Sequence, residues 1–388
     1  MFEFTNWISG NKFIVLLIGT LIFFSGCGNV KDSKDYNVLV GGYRSLDHTV
    51  AFPYILETAE SKLLLKDHFG EQIDVALNFK GFEEGDTIQM DKTIFEIIYS
   101  DTSRTNIFLL NDTLRFPIFN GNKYWPGMAK FFPALNTAPM LASEMYNILT
   151  GKTFKTIEKA ENPNDHLKVE KYLSFTVDSL KTRRDYLYQN EIIYSEFQVQ
   201  KCKIFNVGTK AFLSCNEDEN NPQPIYQFVK NSNNRFSLRH FPDNNALIEK
   251  FELSNEPHHD YSIAYRNCFD GYVGEYYHTD VTYQKGNEFL IKKVGQDAPL
   301  DKSNGYIVIH YNVNCEGKMG RPGLQMMDSE YRDTTYSLDL VKHIMSQVMK
   351  LKEWPSTKSE GQHYINYRDI HGFLMFKIEN GKITDLCP

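Results

Sequence analysis

Clustered basic residues are missing from this 388-residue sequence, whose 42 Lys and Arg against 49 Asp and Glu leave a formal charge of −7. A nucleic-acid backbone needs grouped cations, so no nucleic-acid partner is expected. None of the six Cys forms a CxxC pair, which removes zinc ribbons and thioredoxin-like redox sites. GxSxG, HExxH, a phosphate-cradling Gly loop and a dinucleotide fingerprint are absent as well. No catalytic residue, metal or cofactor is therefore expected. What is present is a globular composition, 41% hydrophobic and 23% charged, too apolar for disorder and too polar for an integral membrane protein. The 23 Tyr and 28 Phe fall in short alternating runs, which favours strands over helical bundles. The expected fold is mainly β with an α+β C-terminal domain: two small antiparallel barrel-like or sandwich domains, then a strand-strand-helix-strand domain.

Near the N-terminus, residues 13–24 form an apolar run of 12 after Lys12, whereas a spanning helix needs roughly 20 residues. The run has the length of a secretory h-region. Phe24, Ser25, Gly26 and Cys27 follow it and resemble a bacterial lipobox, with Phe24 where Leu is usual. That resemblance implies a signal peptide over residues 1–26, lipidation of Cys27, and a polar tether over 27–38. Two or more acyl chains then hold the protein to a membrane, since each buried methylene contributes about 0.8 kcal/mol. Gly28 lacks the acidic character associated with inner-membrane retention, which favours the outer membrane.

An envelope location is oxidising and changes the reading of the other Cys. Cys202 and Cys215 flank a hairpin turning at Gly208 and Thr209, which sets the two sulfurs opposite each other. A disulfide and a pair of buried thiols both fit that arrangement. Along the body, residues 39–120 read as a first β-rich domain, 121–147 as a Pro- and aromatic-rich linker, and 148–253 as a second β-rich domain. The two blocks share a strand rhythm, which raises two distant copies of a lipocalin-like barrel as an expectation. Residues 254–275 read as another linker. His258, His259 and Asp260 within it are the densest His and carboxylate group, yet neighbours in sequence point apart on a strand, so a polar loop is expected there.

Residues 276–388 are more specific. A strand carrying Ile307, Ile309, Tyr311 and Val313 on one face turns at Glu316 and Gly317. Ser337 then precedes a helix with Leu340, Val341, Ile344, Met345, Val348 and Leu351 at helical spacing, stopped by Trp354 and Pro355. Gly361 leads to the last strands, and Asn380-Gly381 is a tight hairpin signal. With Tyr283, Gly286 and Leu290 ahead of them, these features resemble the TonB C-terminal domain over under a third of the chain. Gln284 and Lys285 replace its common Pro and Gly, and Cys315 and Cys387 are additions. The resemblance implies binding of an extended segment of an outer-membrane transporter, or another envelope protein, by strand addition to a sheet edge. The edge it points to is Phe373, Leu374, Met375, Phe376, Lys377 and Ile378. Folding of the segment after Asn380-Gly381 onto that strand, with Cys387 pairing to Cys315, would block it.

The function expected from all this is a non-catalytic envelope lipoprotein with a protein- or peptide-binding C-terminal domain, accessory to TonB-dependent transport. The alternative is a secreted carbohydrate- or peptide-acting enzyme with a cleft in the β-rich region. For the anchor, Cys27→Ser is expected to abolish metabolic labelling by a fatty-acid analogue. Labelling that persists in the variant contradicts the lipid assignment.

Overall fold

The computed structural model describes residues 38–43, 52–67, 69–78, 87–90, 93–100, 107–111, 127–158, 163–215, 225–241, 248–256, 265, 273–275, 283–314, 316–352, 354 and 369–387. All of them belong to one compact unit, Asn37–Pro388. The chain is mainly β, with an α+β C-terminal part. Among the described residues no helix is long and apolar enough to cross a membrane.

The first eight strands are β1 Val38–Tyr43, β2 Phe52–Ala59, β3 Lys62–Lys66, β4 Gln72–Ala76, β5 Thr87–Met90, β6 Thr93–Ser100, β7 Ile107–Asn111 and β8 Gly127–Pro133. They form an antiparallel sheet ordered β4-β3-β2-β1-β8-β7-β6-β5. The 121–147 segment is thus not simply a linker. Its residues 129–133 pair with β1 through Leu39↔Pro133 to Tyr43↔Ala129, and Pro133 is tolerated because it ends the strand.

Strands β9 Thr153–Glu158, β10 Lys168–Phe175, β11 Ser179–Tyr188, β12 Glu191–Val207, β13 Lys210–Cys215, β14 Ile225–Ser232, β15 Arg235–Phe241 and β16 Ile248–Ser254 make a closed barrel. Each pairs with its sequence neighbour, and β16 returns to β9 through Glu252↔Lys155 to Ser254↔Thr153. Closure removes the edges that an open sheet would expose. Both ladders therefore consist of eight consecutive antiparallel strands with the first paired to the last. Cys202 and Cys215 are directly opposed on β12 and β13 and form a disulfide.

Alternation explains the barrel's two surfaces. Inward, Phe154, Phe175, Phe228, Phe236 and Phe251 pack at one end, with the Phe236 and Phe251 rings stacked at 5.0 Å. Helix α1, Ala142–Leu149, joins this core through Met145 and Leu149, both fully buried. Asn206 positions it: Oδ1 accepts the Ala142 N–H at 2.7 Å and Nδ2 donates to the Met140 carbonyl at 2.7 Å. Outward, Phe205, Val207, Phe212, Ile225 and Phe241 pack against Val38, Val40 and Ile55 of the first sheet.

The C-terminal part comprises β17 Val273–Glu275, α2 Gly286–Gly295, β18 Gly305–Val313, β19 Met319–Asp328, α3 Leu338–Val348, β20 Asp369–Glu379 and β21 Lys382–Cys387. Its sheet runs β17-β20-β18-β19, with β21 also on β20. Ile307, Ile309, Tyr311 and Val313 face a core shared with Leu340, Val341, Ile344, Met345 and Val348 of α3. Ser337 is the N-cap residue of α3 but makes no side-chain cap; its own N–H donates instead to Asp301 Oδ2 at 2.7 Å. The hairpin between β20 and β21 turns through Asn380 and Gly381, both at positive φ, and a Cβ at Gly381 would overlap the Asp301 carbonyl.

The same core takes in Leu167, Tyr186, Tyr188 and Tyr194 from the barrel, so the C-terminal part covers the barrel end opposite α1. Tyr188 donates its hydroxyl to the Tyr336 carbonyl at 2.8 Å, and the His166 N–H reaches the Leu324 carbonyl at 2.8 Å. Gly320 of β19 lies so close to Tyr265 that any side chain there would overlap the ring.

Candidate functional site

Two places carry the chemistry: a charged belt inside the barrel and the edges of the C-terminal sheet. The belt begins with register. Lys171 on β10 is paired with Arg184 on β11, and Arg184 with Glu196 on β12; the next inward pair is Thr182↔Gln198. Two cations side by side in a barrel require internal carboxylates, because an isolated buried charge is heavily penalised. Glu158 on β9 supplies the first, accepting from Arg184 Nε at 3.0 and 3.1 Å and lying 3.3 Å from Lys171 Nζ. Glu249 on β16 holds the other side of Lys171 at 2.8 Å.

The third cation comes from outside the barrel. Arg321, in β19, sits at a φ of 55°, a conformation that a non-glycine residue adopts at a cost. This geometry brings its backbone N–H to Glu196 Oε2 at 3.0 Å and its Nε to 3.5 Å from Glu196 Oε1. Arg184 Nη1 approaches the same Oε1 at 3.6 Å. Lys171, Arg184 and Arg321 thus face Glu158, Glu196 and Glu249, and the charges balance. Burial would raise the Glu158 carboxyl, but Arg184, Lys171 and Arg321 outweigh it and hold it at about 2. Burial pulls Arg184 the other way, and Glu158 and Glu196 more than offset it, so its pKa is raised. Lys171, Thr182, Arg184, Gln198, Gln200, Glu249 and Arg321 line a cavity of about 70 Å³.

The outward face of β11 is charged too. Arg183 stacks 3.8 Å from the Tyr172 ring centre, with Asp185 and Glu256 at 3.1 and 2.9 Å. This two-faced charging explains why the run Lys181, Thr182, Arg183, Arg184 and Asp185 does not look like a half-buried strand in sequence.

At the C-terminal sheet, the expected edge is a correction. Phe373, Leu374, Met375, Phe376, Lys377 and Ile378 all pair with β18 on one side. On the other side β21 pairs with Met375, Phe376, Lys377 and Ile378, and β17 with residues 369–371. The physical reason is the Asn380-Gly381 turn, which folds the last strand straight back onto β20. Among the described strands, β19 pairs only with β18 and β21 only with β20, and on β21 Lys382, Thr384 and Asp385 are exposed. Among the described residues, no other strand pairs with β21.

Cys387 lies on β21, while Cys27, Cys315, His258, His259 and Asp260 lie outside the described residues, so the Cys315 to Cys387 pairing does too. Among the described residues no group of three or more His, Cys, Asp or Glu side chains is arranged to hold a metal ion. No protein-family model matches this chain, and no curated protein does.

A glycosidase acid needs a carboxyl held protonated near neutral pH. Glu158 is shifted in the opposite direction. Its depressed pKa instead contributes stability that is full above the ordinary value of 4.5 and is lost as pH falls toward about 2. Over that window acid unfolding is expected to remove on the order of 3 kcal/mol through this group. Glu158→Gln should lower stability at neutral pH and flatten that acid limb in urea unfolding measured against pH. An acid limb identical to the parent's contradicts the assignment.

Proposed function

We propose that this chain is a lipid-anchored envelope protein that binds an extended segment of another envelope protein and performs no chemistry on it. An outer-membrane transporter is the partner that the TonB-like resemblance implies. The observation that carries the reading is the unpaired outer side of β21. An edge strand offers alternate N–H and C=O groups to an incoming strand, and side chains on either face then set specificity. Lys382 and Asp385 place both charge signs along it, which disfavours indiscriminate edge-to-edge pairing while leaving a matched segment free to bind.

The rest of the molecule supports a binding role more than a transducing one. The C-terminal sheet is fastened to the barrel mouth by a shared apolar core and by Arg321. It thereby becomes a rigid platform for recognition at the exposed strand. The barrel cavity, about 70 Å³, is far below the roughly 300 Å³ or more of ordinary ligand pockets, so carriage of a large apolar ligand is not its role.

A photo-crosslinking side chain placed at Thr384 in the full chain tests this in intact cells. Capture of a defined envelope protein is expected, with no such capture from Val177, which is 75% exposed in a barrel turn. Identical crosslinks from both positions, or none from Thr384, overturn the reading.

A further inference from the structure

The barrel belt balances its charges but leaves much of its hydrogen-bonding capacity unused. Among the described residues, Arg184 donates only through Nε, to Glu158; its Nη1 stays 3.6 Å from Glu196. Arg321 Nε is buried with no hydrogen-bond partner among the described residues, and so is Glu196 Oε1, although the two atoms are 3.5 Å apart. Two guanidiniums therefore share one carboxylate oxygen that neither hydrogen-bonds. Thr182, Gln198 and Gln200 line the same cavity and form no side-chain hydrogen bond among the described residues. The Glu196 side chain is only 3% exposed and that of Arg184 8%, and Glu196 Oε1 itself is shut off from bulk water.

That donor and acceptor pattern has a definite chemical complement. Each guanidinium carries five N–H donors in a planar fork suited to oxyanions. An anion bridging Arg184 and Arg321 would engage both forks, with the Thr182 hydroxyl and the two amides as further donors. Glu196 Oε1 adds the discriminating element, because an ionised carboxylate only accepts. A ligand oxygen next to it must carry a proton. Hydrogen phosphate has such an oxygen, whereas sulfate at neutral pH has none. Size agrees: a cavity of about 70 Å³ holds about five atoms at roughly 15 Å³ for each water-sized sphere. Arg321, which lines the cavity, keeps 30% of its side-chain surface exposed.

We propose that the barrel binds hydrogen phosphate, free or as the terminal group of a small solute, between Arg184, Arg321 and Glu196. This site is separate from the β21 edge and does not depend on the partner reading. Titration calorimetry of the intact protein with inorganic phosphate, sulfate and chloride at matched ionic strength and neutral pH is the test. Phosphate should bind at least tenfold more tightly than sulfate, and chloride should give no saturable heat. Arg321→Gln should weaken phosphate at least tenfold, and Glu196→Gln should narrow the preference over sulfate, since an amide also donates. Gln198→Leu touches no ion pair and should weaken phosphate in the same direction, which keeps the test open if a charge variant misfolds. Equal responses to the three anions, or phosphate binding unchanged in both Arg321→Gln and Gln198→Leu, overturn the proposal. If a small phosphorylated solute competes with inorganic phosphate, the bound group is the terminal phosphate of such a solute; if it does not, the site takes the free ion.

Discussion

A guanidinium shut inside a β-barrel has to be neutralised from within, and Arg184 imposes that condition on the strands around it. Breaking one partner of such a buried pair typically costs about 3 to 5 kcal/mol, a large share of the stability of a marginal fold. Glu158 and Glu196 must therefore reach Arg184 from β9 and β12, and Lys171 beside it draws in Glu249 from β16. These strands form one arc of the barrel, from β16 through β9, β10 and β11 to β12. The belt also divides the interior, with a Phe-rich core closed by α1 on one side and a Tyr-rich mouth on the other.

The mouth is where the C-terminal part becomes inseparable from the barrel. Arg321 completes the charge balance from β19, and Tyr186, Tyr188 and Tyr194 contribute to the core beneath α3. Docking the sheet in this way covers one face of the α+β part and leaves the outer side of β21 unpaired among the described residues. The β20 edge is occupied by β21 and β17, so a strand added on that side of the sheet would have to pair with β21.

Local signals in the sequence account for much of the architecture. A period-two run marks β18; Asn380-Gly381 marks the turn from β20 to β21 and Gly208 the turn from β12 to β13; and the helical spacing from Leu340 to Val348 matches α3. Strand β8 was hidden because Pro133 and the surrounding Pro and aromatic residues read as irregular, while its partner β1 lies about ninety residues away in sequence. The belt was hidden for a related reason. Glu158, Lys171, Arg184, Glu196 and Glu249 occupy ordinary alternating positions, and only closure of the barrel decides which side faces inward. The expected order of strand, strand, helix and strand left open what occupies the β20 edge. A visible signal for that did exist, since Asn380-Gly381 is a hairpin turn followed by Ile383 and Leu386.

Barrel and C-terminal sheet are joined into one cooperative body at the Arg321 belt and the shared Tyr-rich core. Hydrogen exchange followed by mass spectrometry across a urea series reads this directly, by comparing peptides from β11 and β12 with peptides from β18 and β20. A common midpoint for both sets is predicted. Release of the β18 and β20 peptides at clearly lower urea, with the barrel still protected, would contradict it.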